Sequence, residues 1–388
     1  MKKLAWAALS LAVGVVGCTK PAAPKEPAPV VAADIVVGEI GSLTGSEATF
    51  GSSTRDGIDL AVGGFNNAGG LNGRKLRLVI VDDQGKPEEA ATAATKLTAQ
   101  DKVIAIIGEV ASSRTLAAAP IAQAAKIPLI TPSSTAPKVT QVGDEIFRVC
   151  FVDAFQGTVM AIFAVENLKA AKAAVLRDGK SDYSVGLAKE FADNFKRLTG
   201  DVVAEETYQA GDVDFKAQLT KIKATKPDVL FVPGYYTEAG LIARQARELG
   251  IKAVLLGGDG WDSPKLKEIG GEAVEGAYFS NHYSGQAQTP EVQSFIRSFK
   301  AAYGHEPDGF AAMGYDATYV MIDALKRAKA VDSASLRDAL AMTKNVSGVT
   351  GRISIDANRN AAKSAVVLKV DKGVFNYQTT VNPYPFPD

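Results

Sequence analysis

The chain runs twice through the same alternation, and that rhythm limits what it can fold into. "DIVVGEIGSL", "KLRLVIVDD", "VIAIIGE" and "IPLITPSS" are short runs dense in Val, Ile and Leu. Strands that are apolar on both faces belong in a parallel sheet covered by helices on each side. Helical spacing fills the gaps, over Ser53–Asn66, Pro87–Gln100 and Arg114–Ala125. Pro87 suits a first helical turn, where a missing N–H costs nothing. The alternation restarts after Asp153, with "AAVLRDG", "VVAEETYQA", "DVLFVPGYY" and "AVLLGGDG" as strands. Helical patterns near Tyr183–Leu198, Phe215–Ala224 and Glu238–Leu249 separate them. The expected fold class is α/β, with two doubly wound parallel-sheet lobes. Two more helical patterns follow, Glu291–Tyr303 and Phe310–Ala328, and "GRISIDANRN" with "AVVLKV" is expected to form a closing hairpin.

The first residues read differently. Lys2 and Lys3 precede an apolar run from Leu4 to Gly17, too short to span a bilayer comfortably and suited to an export signal. The run ends in "VVGC", which resembles the lipobox of bacterial lipoproteins, in which the cysteine carries the lipid. Residues 1–17 are therefore expected to be a signal peptide and Cys18 a lipidated N-terminus. Residues 18–33, rich in Pro and Ala, read as an extended tether. Cleavage would remove two lysines and no acid, leaving 41 basic against 43 acidic side chains. Cys150 would then be the one remaining thiol, so no intramolecular disulfide is expected, and its strand-like context "IFRVCFVD" suits a buried, inert role.

Lys+Arg and Asp+Glu balance at 43 each over 388 residues, which argues against a nucleic-acid partner. No H-E-x-x-H, paired-cysteine or EF-hand pattern is present, and "NNAGGLNGRK" lacks the P-loop Lys-Ser/Thr. No metal or cofactor is expected. A serine nucleophile needs a base and an elbow such as G-x-S-x-G. Only His282 and His305 exist, both expected in loops, and the elbow is missing. A hydrolase is disfavoured and no enzymatic role is expected.

Ligands of open α/β sheets sit beyond the carboxyl ends of the strands. Two such ends, "IIGEVASSRT" and "LITPSSTAP", run from an apolar strand into hydroxyl residues ahead of a segment that can start a helix. Either the serines cap the helices, or hydroxyls and free helix N–H groups together hold an anion. In the second half, "PGYYTEAG" and "GGDGWDS" put Tyr235, Tyr236 and Asp259 at strand ends, and Tyr183 follows "RDGKSD". An acid among aromatic rings suits an ammonium group. Packing tyrosines and a turn aspartate would account for the same residues.

Six stretches carry a resemblance: "GEIGSLTGSEATFG", "NNAGGLNGRKLRLVIVDDQ", "TKLTAQDKVIAIIGEVASSRT", "IPLITPSSTAPKVT", "DYSVGLAKEF" and "GYYTEAGLIARQARELG". As an ordered set, nearly spanning Asp34 to Val370, they are similar to the branched-chain amino-acid binding proteins, the extracytoplasmic receptors of ABC importers with the type I periplasmic fold. The resemblance implies lobes joined by a three-crossover hinge, the first comprising 34–152 plus 283–349 and the second 153–282 plus 350–388. It implies an α-amino-acid ligand of the Leu/Ile/Val type, a permease partner, and a membrane reached only through the N-terminal lipid. Position by position it implies a carboxylate site at Ser112, Ser133, Ser134 and Thr135. It implies an ammonium site at Asp259, Tyr183 and Tyr235, and an apolar wall at Phe50. Trp261, beside the acid, is expected to narrow that pocket. Some members carry glutamate where this chain has Asp259 and tryptophan where it has Phe50, so the preferred side chain stays open. An amide, urea-like or aromatic acid ligand, or a sensory partner, is the alternative.

Overall fold

A computed structural model describes residues 33–383, together with Met1, Ala8 and Ser10. The expected lipidation site Cys18 and the tether up to residue 32 lie outside the described residues, as does nearly all of the signal segment. No described helix is long and apolar enough to cross a membrane.

The first alternation builds a five-stranded parallel sheet. Its strands are β1 (Ile35–Gly41), β2 (Leu76–Asp82), β3 (Ile106–Ile107), β4 (Leu129–Thr131) and β5 (Ile146–Arg148), in the order β2-β1-β3-β4-β5. The second builds β6 (Lys172–Asp178), β7 (Asp201–Tyr208), β8 (Val229–Phe231), β9 (Val254–Gly257) and β10 (Tyr278–Asn281). These run β7-β6-β8-β9-β10, so both sheets repeat one parallel order, with its reversal between β1 and β3 and between β6 and β8. Every residue of β3, β4, β5 and β8 is buried, as the unbroken apolar runs require.

The tail departs from the sequence expectation. "GRI" pairs not with "AVVLKV" but with the preceding "VSG", as β11 (Val346–Gly348) and β12 (Gly351–Ile353). "AVVLKVD" forms β13 (Ala365–Asp371), antiparallel to β10 on one side and to β14 (Val374–Val381) on the other. The turn between β13 and β14, with Lys372 and Gly373 both at positive φ, makes the hairpin that "DKG" encodes. Segment 350–364, expected with the second lobe, packs with the first: Ile353, Ile355 and Ala361 share a core with Ile35, Val37 and Ile58. The third passage between the sheets therefore comes just before Ala365.

Residues 309–341 also return to the first sheet. The Gly309–Arg327 helix lies against the Ala48–Asn67 helix at two glycines. A Cβ on Gly57 would sit 1.9 Å from the Ala311 carbonyl oxygen, and one on Gly314 would sit 2.3 Å from that of Thr54. Met313, Ala317 and Val320 thereby reach the β1 core. The chain crosses between the sheets after β5, after β10 and before β13, which is the three-crossover arrangement.

One buried acid stands without a partner on either oxygen in the first sheet. It is Glu39, which points inward from β1. Burial, then the Asp59 charge, pushes its carboxyl up to about 8 from 4.5. A raised carboxyl favours the fold at low pH, and that contribution is lost as pH rises from the unfolded value toward the folded one. Relative to wild type, Glu39→Gln is expected to gain stability progressively between about pH 5 and 8, by roughly 3–5 kcal/mol in all at ~1.4 kcal/mol per unit. Urea unfolding of both proteins across that range checks it.

Candidate functional site

Both order reversals open toward one cavity. It is narrow and is lined by Phe50, Val110, Ala111, Ser112, Ser133, Tyr183, Tyr235, Asp259, Gly260 and Phe310.

The loop after β3 is fixed by its own acid. Glu109 Oε2 accepts from the Ala111 amide at 2.6 Å and from Arg114 Nε at 3.0 Å, while Oε1 accepts from Ser42 Oγ at 3.1 Å. Its carbonyl accepts from the Thr131 hydroxyl and from one of the mutually bonded Thr115 and Ser134 hydroxyls, all three lying within hydrogen-bond reach. The Ser112–Ala125 helix therefore starts two residues before the expected Arg114, on a loop with few ways to move. Ser112 Oγ accepts from the Ala136 amide at 3.1 Å, which leaves its O–H free to donate into the cavity. Ser113 was a candidate cap, and it does not cap this helix. Its Oγ donates to Asp182 Oδ2 at 3.1 Å and accepts from the Asp182 amide at 3.0 Å, across to the other half.

The hydroxyls after β4 divide. Ser133 lines the cavity, with Oγ 3.4 Å from the Val110 carbonyl. Ser134 does not line it; its hydroxyl is held by Glu109 O and by Thr115 Oγ1 at 2.6 Å. Thr135 does not line it either, and its buried hydroxyl has no hydrogen-bond partner.

Across the cavity, Ser181 caps the Asp182–Arg197 helix and places Tyr183 in its first turn. The Tyr183 ring lies parallel to that of Tyr235, centroids 5.5 Å apart, and its hydroxyl accepts from the Gly260 amide at 3.2 Å. Burial holds the Tyr183 phenol well above its ordinary range, so it stays protonated. Asp259 follows β9. Its Oδ1 accepts from Gln156 Nε2 at 2.7 Å, and its Oδ2 meets His282 Nε2 at 3.1 Å. Burial keeps His282 below its usual 6.5 despite the neighbouring acid. The imidazole is neutral at pH 7, so the Asp259 charge is not cancelled there. His282, expected in a loop, is buried directly after β10, whereas His305 is exposed.

The third wall is aromatic. Phe50 stacks on Phe310 at 4.1 Å and stands edge-on to Tyr235 at 5.5 Å and Tyr236 at 5.0 Å. Trp261 is not part of it: its indole N–H donates to the Val232 carbonyl at 3.0 Å and its ring packs beside Phe279. The small Gly257 makes this possible, since a Cβ there would strike the indole at 2.2 Å. Sequence alone assigns Phe310, Gln156 and Arg114 no role at the site, and Glu109 only a place at a strand end facing the cleft. Phe310 and Gln156 lie more than 100 residues from some of their partners, and no local pattern marks them. The Glu109…Arg114 spacing around two serines is a local signal that could have been read.

A helix N-terminus and serine hydroxyls on one side favour an anion. A buried carboxylate and tyrosine rings on the other favour a cation. The arrangement suits one small molecule bearing both charges and an apolar group.

The chain is similar to known proteins along most of its length. The family model described as "Periplasmic binding protein" matches residues 34–373. An amino acid binding protein of Pseudomonas aeruginosa is 35% identical over 79% of this chain and 82% of its own. A solved leucine binding protein, LivK, from Thermotoga maritima is 42% identical with a TM-score of 0.87, covering 90% of this chain and 99% of its own. The branched-chain amino acid transporter substrate binding protein LivJ from Streptococcus pneumoniae, solved with isoleucine, is 37% identical with a TM-score of 0.86, covering 90% and 100%. The match covers every strand of the two sheets except the edge strand β14, together with their crossovers and the cavity, and this chain belongs to the periplasmic binding protein family.

Proposed function

We propose that the protein is the extracytoplasmic receptor of an ABC importer for an aliphatic α-amino acid of the Leu/Ile/Val type. The observation that carries this is the opposition, across one cavity, of the Ser112 helix N-terminus and the Asp259 carboxylate. The ligand carboxylate docks on the Ser112 and Ser133 side, with the free helix amides. The ammonium meets Asp259 and the tyrosines. The aliphatic side chain lies against Phe50 and Phe310. Relatives that bind leucine or isoleucine by name support this class of ligand.

Closing needs no chemistry on the ligand. The lobes hinge on the three crossovers, and a zwitterion that touches both satisfies both charges only in the closed form. Thr237 Oγ1 to the Ser46 carbonyl at 2.9 Å, Thr49 Oγ1 with Ser263 Oγ at 2.9 Å and the Ser113–Asp182 pair hold that form together. The permease then reads the closed shape. Export by residues 1–17 and lipidation of Cys18 complete the proposal, and the mass of the N-terminal peptide tests them.

Calorimetric titration with L-leucine, L-isoleucine and L-valine tests the ligand class. Ser112→Ala is expected to weaken leucine binding about tenfold, the effect of one hydrogen bond to a charged group. It also removes the acceptor of the Ala136 amide. An unchanged affinity in Ser112→Ala would remove that serine from the carboxylate site.

A further inference from the structure

Asp259 reaches the cavity with two neighbours that no local sequence pattern connects to it, Gln156 from the first crossover and His282 from the second. A carboxylate offers about four acceptor positions. Gln156 Nε2 at 2.7 Å takes one and His282 Nε2 at 3.1 Å takes another, one on each oxygen. The donors thereby fix the plane of the carboxylate and leave its remaining lone pairs for the cavity.

His282 is itself held. Its ring stacks on Phe151 at 3.7 Å, joining the first and second crossovers. Its backbone amide donates to Asn281 Oδ1 at 2.7 Å, and Asn281 Nδ2 donates to Asp262 Oδ2 at 2.8 Å. The proton is assigned to Nε2, because that nitrogen faces an acceptor while Nδ1 is buried without a partner.

We infer that His282 is a positioning residue for ligand recognition: its Nε2–H, with Gln156, turns the Asp259 carboxylate toward the ligand's ammonium, and protonation of the ring withdraws that carboxylate. The inference rests on the reading of Asp259 as the ammonium partner. A protonated ring would place a cation on Asp259 Oδ2, leaving the ammonium to meet a neutralised pair. Its new Nδ1–H would have no acceptor. The charged groups around the ring are Asp259 and Lys363, with Asp153 beyond Asp259 and Asp262 behind Asn281. Burial disfavours the protonated form, so the ring stays neutral through the neutral pH range. Leucine affinity is then full above the ring's folded-state titration and falls as pH drops through it, below 6.5.

The experiment is calorimetry with L-leucine from about pH 5 to pH 8 on wild type, His282→Gln, His282→Leu and Asp259→Asn. The expected result at neutral pH is a loss of about 10- to 100-fold in His282→Leu, the effect of removing a hydrogen bond to a charged group. His282→Gln, a neutral donor of similar reach, recovers most of that affinity. It also lacks the acid-side weakening of the wild type, while Asp83 and Asp262, which titrate nearby, remain in both proteins. Wild-type affinity and pH profile in His282→Leu, or a wild-type acid-side inflection in His282→Gln, overturns the inference. If His282→Leu does not fold, the His282→Gln profile decides. If folded wild type binds none of the three aliphatic amino acids, the ligand reading itself fails and the inference falls with it. Leucine binding that Asp259→Asn abolishes but both His282 variants retain unchanged overturns the role of His282 alone.

Discussion

Asp259→Ala is expected to weaken leucine binding by roughly 100- to 1,000-fold while the protein still folds. Truncating one member of a buried charge pair costs about 2–5 kcal/mol, largely because the other charge is left unpaired. The ammonium of a bound amino acid would face tyrosine rings and two amide or imidazole donors, none of which carries a negative charge. The fold tolerates the change because Asp259 sits in a single short turn, Asp259–Trp261, whose packing rests on Trp261 and not on the carboxylate. Gln156 and His282 would each lose an acceptor, a stability cost of about 1–3 kcal/mol per group. Calorimetry with leucine, beside thermal unfolding, separates the two effects. Undiminished affinity in a folded variant would remove Asp259 from the site.

The second large effect is on stability. Arg114→Met is expected to destabilise the protein by about 3–5 kcal/mol, although methionine nearly fills the space. Arg114 is buried among three carboxylates, at 3.1 Å from Glu47, 3.0 Å from Glu109 and 3.9 Å from Asp83. Without the guanidinium these acids repel one another in a site from which water is excluded. Asp83 already stands at about 6, pushed up first by burial and then by the Glu109 charge. Loss of Arg114 raises the group further, so the destabilisation is largest above neutral pH and shrinks on acidification, as the acids take up protons. Urea unfolding at about pH 5 and pH 8 reads both the size and the sign. The same substitution frees Glu109, which holds the Ala111 amide and hence the start of the Ser112 helix. Weaker leucine binding should therefore accompany the lost stability.

The parallel core was legible in the sequence because burial on both faces writes itself as unbroken apolar runs. β3, β4 and β8 fall inside such runs, and the helices between the strands start within a few residues of where the spacing placed them. The tail was not legible in the same way. β14 is half exposed and its sequence, "VFNYQTTV", carries no strong alternation, so the hairpin partner of "AVVLKV" was misplaced. The return of Gly309–Arg327 to the first sheet depends on Gly57 and Gly314, one on each helix, each meeting a carbonyl of the other helix some 250 residues away in sequence, which no local pattern encodes.

The site divides likewise. Ser112, Ser133, Tyr183, Tyr235, Asp259 and Phe50 stand at strand ends or first helical turns, and they line one cavity. Ser134, Thr135 and Trp261 occupy equally suggestive positions and do not line it. Adjacent residues after a strand point in different directions, and only the three-dimensional path says which one faces the ligand. Ser134 meets Thr115 and Glu109, and Trp261 turns back over Gly257. Partners of Asp259 arrive from the crossovers, so they became visible only once the chain was folded.

The most direct measurement compares two ligands that differ only in the ammonium group. The purified protein, unfolded and refolded to release any bound molecule, is titrated with L-leucine and with 4-methylpentanoate, which keeps the carboxylate and the isobutyl group. One-to-one binding of leucine, with the desamino acid weaker by 100-fold or more, is the predicted outcome, since a buried unpaired Asp259 is costly. Equal affinity for the two, or binding of 4-methylpentanoate alone, would contradict the account.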